Sequence, residues 1–128
     1  DWSWRMDTAS WYPSPLPFAP FARLQSADCL YAYIWARSDD WFVTKGLWDT
    51  FEVWAEQYPL PPQNLSRVKS RVMQNGKYIH LMFETNFEIG AMEVFRNPHY
   101  QAMFRHLDES EPLGFLRHRW GDAPFRPL

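Results

Sequence analysis

Apolar positions recur every second residue at the start of the chain. Trp2, Trp4 and Met6 share one side of residues 1–7, which predicts a strand with one buried face that ends at Asp7. Prolines 13, 15, 17 and 20 then exclude helix interior and central strand from Trp11 to Phe21. That stretch is expected to run extended over the surface, pinned to its own protein by Trp11, Tyr12, Leu16, Phe18 and Phe21. Leu30-Tyr31-Ala32-Tyr33-Ile34-Trp35 is short, apolar and aromatic-rich, which predicts a buried strand broken by Ser38-Asp39-Asp40. From Leu47 to Tyr58 the period lengthens to three or four. Leu47, Trp48, Phe51, Trp54, Ala55 and Tyr58 then line one face of a helix, with Thr44 as its cap and Pro59, Pro61 and Pro62 as its stop.

The second half alternates more ambiguously. Arg67, Lys69 and Arg71 interleave with Val68, Ser70 and Val72, which predicts a solvated basic edge strand, and Asn75-Gly76 is a strong hairpin-turn signal. Tyr78 to Phe83 is the expected returning strand, followed by Thr85, Asn86 and Glu88. Ile89, Met92 and Phe95 predict a helix over Glu88–Arg96, which puts Glu88 at a strand-to-helix junction, a common place for a polar side chain at the mouth of a cleft. Proline drives its predecessor out of the helical region, so Asn97 is read as the cap of a further helix with Pro98 at its first position. Tyr100, Met103, Phe104 and Leu107 give that helix its apolar face, and Asp108 to Gly114 is expected to close it with a loop. Arg119-Trp120-Gly121-Asp122-Ala123-Pro124 reads as a tight turn into a helix N-terminus.

Composition narrows the function classes. With 46% apolar and 22% charged residues among 128, the chain is expected to form one globular domain with one core. The aromatic share of 19%, with eight Trp, serves either a core of large plates or a sugar-sized groove, and burial tendencies favour the core. A formal charge of −2 supplies no long-range positive field, so nucleic acid is not an expected partner. Cys29 stands alone and is read as a buried or idle thiol, and His80, His99, His106 and His118 show no metal-ligand spacing. No run approaches the roughly 18 apolar residues of a membrane span, and the start is neither a signal peptide nor a methionine start, so the chain reads as a partial piece. Asn64-Leu65-Ser66 is an N-glycosylation sequon, which fits a secretory lumen.

Without a Gly-rich phosphate loop or a Gly-x-Ser-x-Gly elbow, what remains is carboxylate chemistry. Asp7, Glu84, Glu88 and Asp122 all fall at expected segment ends, where a pair could act as acid and base or hold a divalent cation.

The strings Asn86-Phe87-Glu88-Ile89 and Arg119-Trp120-Gly121-Asp122-Ala123-Pro124, with Phe95-Arg96, Tyr100, Leu107-Asp108 and Gly114-Phe115 between them, resemble the fungal-type Golgi α-1,2-mannosyltransferases of glycosyltransferase family 15. Trp4-Arg5-Met6-Asp7-Thr8 looks like the family's Trp-Arg-Val-Glu-Pro, and Phe18-Ala19-Pro20-Phe21 like its aromatic-Asp-Pro-Phe. The resemblance implies an α/β, GT-A-like domain with a mixed sheet flanked by helices. Residues 1–128 would form a single partial catalytic domain without the family's N-terminal nucleotide-binding part and its C-terminal metal-histidine segment. It further implies mannose transfer with retention from GDP-mannose to a mannose-containing acceptor, with Mn²⁺, on the lumenal side of the Golgi membrane, in a full-length protein anchored outside this segment. By motif position, Glu88 matches the family's central glutamate, whose implied role is either nucleophile or a carboxylate that steers a front-face attack, Asp7 matches the acid on the metal and Asp122 an acid near the acceptor. Three departures stand out. The family's Glu-Pro-Asp is Asp7-Thr8-Ala9, its His-Phe-Trp-Ser is Met82-Phe83-Glu84-Thr85, and its Val-His-Ser after Pro124 is Phe125-Arg126-Pro127. The rival expectations are a diverged noncatalytic carbohydrate-binding domain and an interaction domain whose partner surface is the proline-rich stretch from Trp11 to Phe21.

Overall fold

The computed structural model describes residues 1–58, 60–110 and 113–128. Its centre is a three-stranded antiparallel sheet, with β7 (Phe87–Ala91) between β1 (Trp2–Met6) and β2 (Tyr31–Tyr33). Trp4 and Ala32 stand opposite Ile89, and Arg5 and Tyr33 stand opposite Glu88. The sheet therefore has an apolar face carrying Trp2, Trp4, Phe87 and Ile89, against which Tyr12 and Phe21 pack edge-on to Trp4. The proline-rich stretch is tied to its own protein there through Tyr12 and Phe21, while Trp11 and Phe18, two of the expected pins, are exposed, and Pro20 opens a short helix α1 (Pro20–Ser26).

The central strand corrects the helix expected over Glu88–Arg96. Two ready edges flank residues 87–91, and pairing on both sides outweighs a helical period that rested on three apolar residues. Helix begins only at Met92, as α4 (Met92–Arg96). Glu88 is thus within the strand, four residues before the helix starts, and buried, not at a cleft mouth. The expected strand Leu30–Trp35 is likewise shorter and wetter: Leu30, Ile34 and Trp35 are exposed, and the chain re-pairs as β3 (Ala36–Ser38) against β6 (Leu81–Phe83).

The basic edge strand is instead helix α3 (Pro62–Val72), whose Leu65, Val68 and Val72 turn inward while Arg67, Lys69 and Arg71 face solvent. Period two and period 3.6 both fit those six residues, and Pro62 in the first turn favours the helix. The hairpin is as read: β4 (Met73–Gln74) and β5 (Lys77–Tyr78) join through Asn75 and Gly76, both at positive φ (51° and 73°), the geometry of a type I′ turn.

The core lies between α2 (Leu47–Gln57) and α5 (Pro98–Glu109). Leu47, Phe51 and Trp54 of the first meet Met103 and Leu107 of the second, and Trp120 and Phe125 close the end. Gly46, at φ 78°, occupies the N-cap of α2 in place of the expected Thr44, which is buried and bonds His80 Nδ1 at 2.7 Å. Pro59, one of the expected stops of α2, lies outside the described residues. Asn97 caps α5 through the His99 N–H at 2.9 Å, as its sequence announces. Helix α6 (Gly114–His118) follows; residues 111–112 of the expected loop lie outside the described residues. The chain ends with α7 (Asp122–Phe125), entered through Gly121 as expected.

Candidate active site around Glu88

Glu88, the second residue of β7, projects onto the face of the sheet that meets the C-terminal residues. Its side chain is 6% exposed, and both carboxylate oxygens are engaged. Arg126 donates from Nη2 to Oε1 and from Nε to Oε2, each at 2.9 Å, a bidentate fork, and the Tyr31 hydroxyl donates to Oε2 at 2.5 Å. The remaining Arg126 nitrogen, Nη1, donates to the Tyr100 hydroxyl at 2.5 Å, and the guanidinium lies 5.1 Å from the centre of the Phe95 ring. Burial pushes the Glu88 carboxyl up, but the bonds from Arg126 and Tyr31 and the charges of Arg126 and Arg5 outweigh it and hold it below the usual carboxylate range. Burial, reinforced by Glu88, pushes Tyr31 far above the ordinary tyrosine value, so its hydroxyl remains a donor.

Arg5, opposite Glu88 on β1, gathers the other acids. Its guanidinium pairs with Asp122 and lies 3.5 Å from Asp7 Oδ1. Asp122 also accepts from the Ala123 N–H at 3.0 Å in the first turn of α7. The Asn86 side-chain amide, with its nitrogen facing the acids, donates to Asp7 Oδ2 at 3.0 Å and to Glu84 Oε1 at 3.2 Å. Glu84 in turn receives the Trp35 indole N–H at 3.3 Å. One polar band therefore runs from Glu84 through Asn86 and Asp7 to Arg5 and Asp122, with Glu88 buried beside it. A cavity of about 390 Å³ reaches Arg126, Tyr31 and Tyr100 from the core side between Phe51, Trp54 and Phe95, whereas a larger one near Asp1 and Arg96 touches none of these acids.

The family model described as glycolipid 2-alpha-mannosyltransferase matches residues 1–128. The chain belongs to that family. It is 32% identical to O-glycoside alpha-1,2-mannosyltransferase homolog 3 of Schizosaccharomyces pombe over 132 residues, covering 100% of this chain and 34% of the relative. It is also 32% identical over 130 residues to the probable mannosyltransferase KTR3 of Saccharomyces cerevisiae, covering 100% of this chain and 31% of that one. Among solved structures, core-mannan synthase A from Aspergillus fumigatus in its Mn/GDP form superposes with a TM-score of 0.82 at 25% identity, over 98% of this chain and 36% of that one. The chain thus spans about one third of the length of the relatives it matches, and the expected α/β mannosyltransferase fold is the one found.

Within this family fold, the acids singled out in the sequence, Asp7, Glu84, Glu88 and Asp122, come together. What sequence reasoning did not assign are the groups that organise them: Arg5, Arg126, Tyr31 and Tyr100. Arg126 left one trace, as the residue standing where the family pattern has histidine, and Tyr100 another, as one of the positions that match the family; neither tyrosine showed its role, because their partners are 57 and 26 residues away. As a metal centre the band does not suffice. Among the described residues no group of three or more His, Cys, Asp or Glu side chains is placed to hold an ion, and Asp7 already shares its oxygens with Arg5 and Asn86. No described helix is long and apolar enough to cross a membrane.

Proposed function

We propose that this chain is the catalytic-core portion of a retaining α-1,2-mannosyltransferase that moves mannose from GDP-mannose to a mannose-containing acceptor on glycoprotein or glycolipid. The observation that carries the reading is the convergence of Asp7, Glu88 and Asp122 around Arg5, in a chain matched by the mannosyltransferase family over all 128 residues. Transfer of a glycosyl group develops positive charge at the anomeric carbon, and a carboxylate held ionised beneath it stabilises that charge. Glu88 is the acid so held. Asp122, part-exposed at the start of α7, suits a hydroxyl-bearing acceptor. The GDP in the solved core-mannan synthase A supports a guanosine diphosphate donor. Manganese, present in that same structure, is proposed for the whole protein, with Asp7 as this chain's single carboxylate towards it; no step here runs through the ion. The Golgi lumen, with a membrane anchor outside these residues, is the proposed location on the same kinship.

The test is mannose transfer from GDP-mannose to α-methyl mannoside by the full-length protein and by its Glu88→Gln and Asp122→Asn variants. Glu88→Gln is expected to lower kcat by several orders of magnitude in a protein whose circular dichroism is unchanged, and Asp122→Asn to act chiefly on the acceptor KM. A folded Glu88→Gln variant that keeps wild-type turnover removes Glu88 from the reaction.

A further inference from the structure

We propose that Trp35, held by Glu84, is the platform for the second sugar of the acceptor, so that this protein prefers a neutral oligosaccharide to a single mannose. This rests on the mannosyltransferase reading above and names the acceptor class that its site takes.

Glu84 is the end of the polar band to which the transfer reaction assigns no task. It is tied to Trp35 twice. The Glu84 backbone N–H donates to the Trp35 carbonyl at 3.0 Å, and the Trp35 indole N–H donates to Glu84 Oε2 at 3.3 Å. These bonds fix the indole just before β3, yet the residue stays 57% exposed. A plate clamped at its polar edge and left open to water is preorganised for a ligand with an apolar face. Trp11 and Trp41 are exposed as well, but among the described residues neither indole N–H is bonded to an acid.

The position suits an acceptor. Glu84 Oε1 and Asp7 Oδ2 accept from the same Asn86 amide, at 3.2 and 3.0 Å, and Asp7 faces Arg5, which pairs with Asp122. Glu84 and Glu88 are four residues apart, at most about 14 Å of backbone. A glycan whose terminal mannose lies between Glu88 and Asp122 can therefore set its next sugar on Trp35.

The chemistry of that sugar matches. One face of a pyranose is a patch of C–H groups that lies on an aromatic ring, and its rim of hydroxyls both donates and accepts. The Glu84 carboxylate, its side chain 16% exposed, can accept from those hydroxyls. Arg37, with Nε 3.8 Å from Glu84 Oε2, is largely exposed and can donate to them. Acid and base together carry no net charge, which suits a neutral hexose, whereas a phosphorylated one would meet the Glu84 carboxylate. Glu84 stands where the family pattern has tryptophan, so the platform is a feature of this chain.

The experiment measures mannose transfer by the full-length protein to α-methyl mannoside and to the methyl glycoside of α-1,2-mannobiose, for wild type, Trp35→Ala, Trp35→Phe and Glu84→Gln. In the wild type the disaccharide is expected to have a KM about tenfold below that of the monosaccharide, the worth of one aromatic contact. Trp35→Ala should bring the two KM values together, and Trp35→Phe, which keeps a smaller plate, should restore part of the gap. Glu84→Gln should narrow it by loosening the indole. A merely structural loss would move both acceptors alike and leave their ratio as it was. Equal KM values in the wild type, or a ratio that survives in both Trp35→Ala and Glu84→Gln, overturns the proposal. A folded wild type that transfers mannose to neither acceptor overturns the mannosyltransferase reading and this one with it; transfer that ignores acceptor length overturns this one alone.

Discussion

Gly90 shows how much of the site depends on an atom that is missing. A side chain there would enter the Phe95 ring at 2.5 Å and touch Tyr31 at 3.4 Å, the two residues that support Arg126 and Glu88 from either side. The reason is close approach, since the Phe95 ring occupies the space into which a Cβ would project. Gly90→Ala is therefore expected to destabilise the protein by about 1–3 kcal/mol, the usual penalty of overpacking, as read from urea unfolding. It should also lower kcat by displacing Arg126, whereas Gly76→Ala, whose Cβ would meet nothing within 4 Å, should change stability through its positive φ and leave kcat alone. Wild-type stability in Gly90→Ala would mean that Phe95 does not hold the arginine. Single residues were unevenly legible: the acids announced themselves by type and place in the chain, while Gly90, Tyr31 and Arg126 acquire meaning only from partners distant in sequence.

At the scale of elements, legibility followed the locality of the forces. Helix α5 was readable because its signals are near neighbours: Asn97 accepts from the His99 N–H two residues on, and Pro98 presets the first turn. The Asn75-Gly76 hairpin was readable for the same reason. Strand β7 was not. Its conformation is set by β1, more than 80 residues earlier in the chain, and by β2, and no local period reports that pairing. Helix α3 failed in the opposite sense, because six alternating residues fit two periods equally. The local character of the α5 cap gives a clean expectation. Asn97→Ala should lower stability by about 1 kcal/mol, a typical N-cap loss, without altering the pH dependence of transfer, because the cap bonds only the helix's own first turn. A shift in the pH profile would show that α5 is coupled to the Glu88 network more tightly than through Tyr100.

For the whole molecule, the Glu88–Arg126 pair is a tie between the central strand and the last turn of the chain, the turn that also carries Phe125 into the core. Its contribution must follow the ionisation of Glu88. The folded carboxyl lies below its ordinary value of 4.5, so the unfolded chain takes up this proton first as pH falls. The stabilisation is then fully present above about pH 4.5 and is lost as pH drops through the lower folded value. Breaking such a buried pair from one side costs about 3–5 kcal/mol, so Glu88→Gln should unfold at markedly lower urea than wild type at pH 7. That gap should narrow below pH 4.5, where the unfolded wild-type chain takes up the proton, and close as pH falls through the lower folded value. A gap that stays constant down to pH 3 would place the stabilising effect in the shape of the side chain, not in its charge. It would also remove the basis for treating Glu88 as an anion that the fold maintains for chemistry.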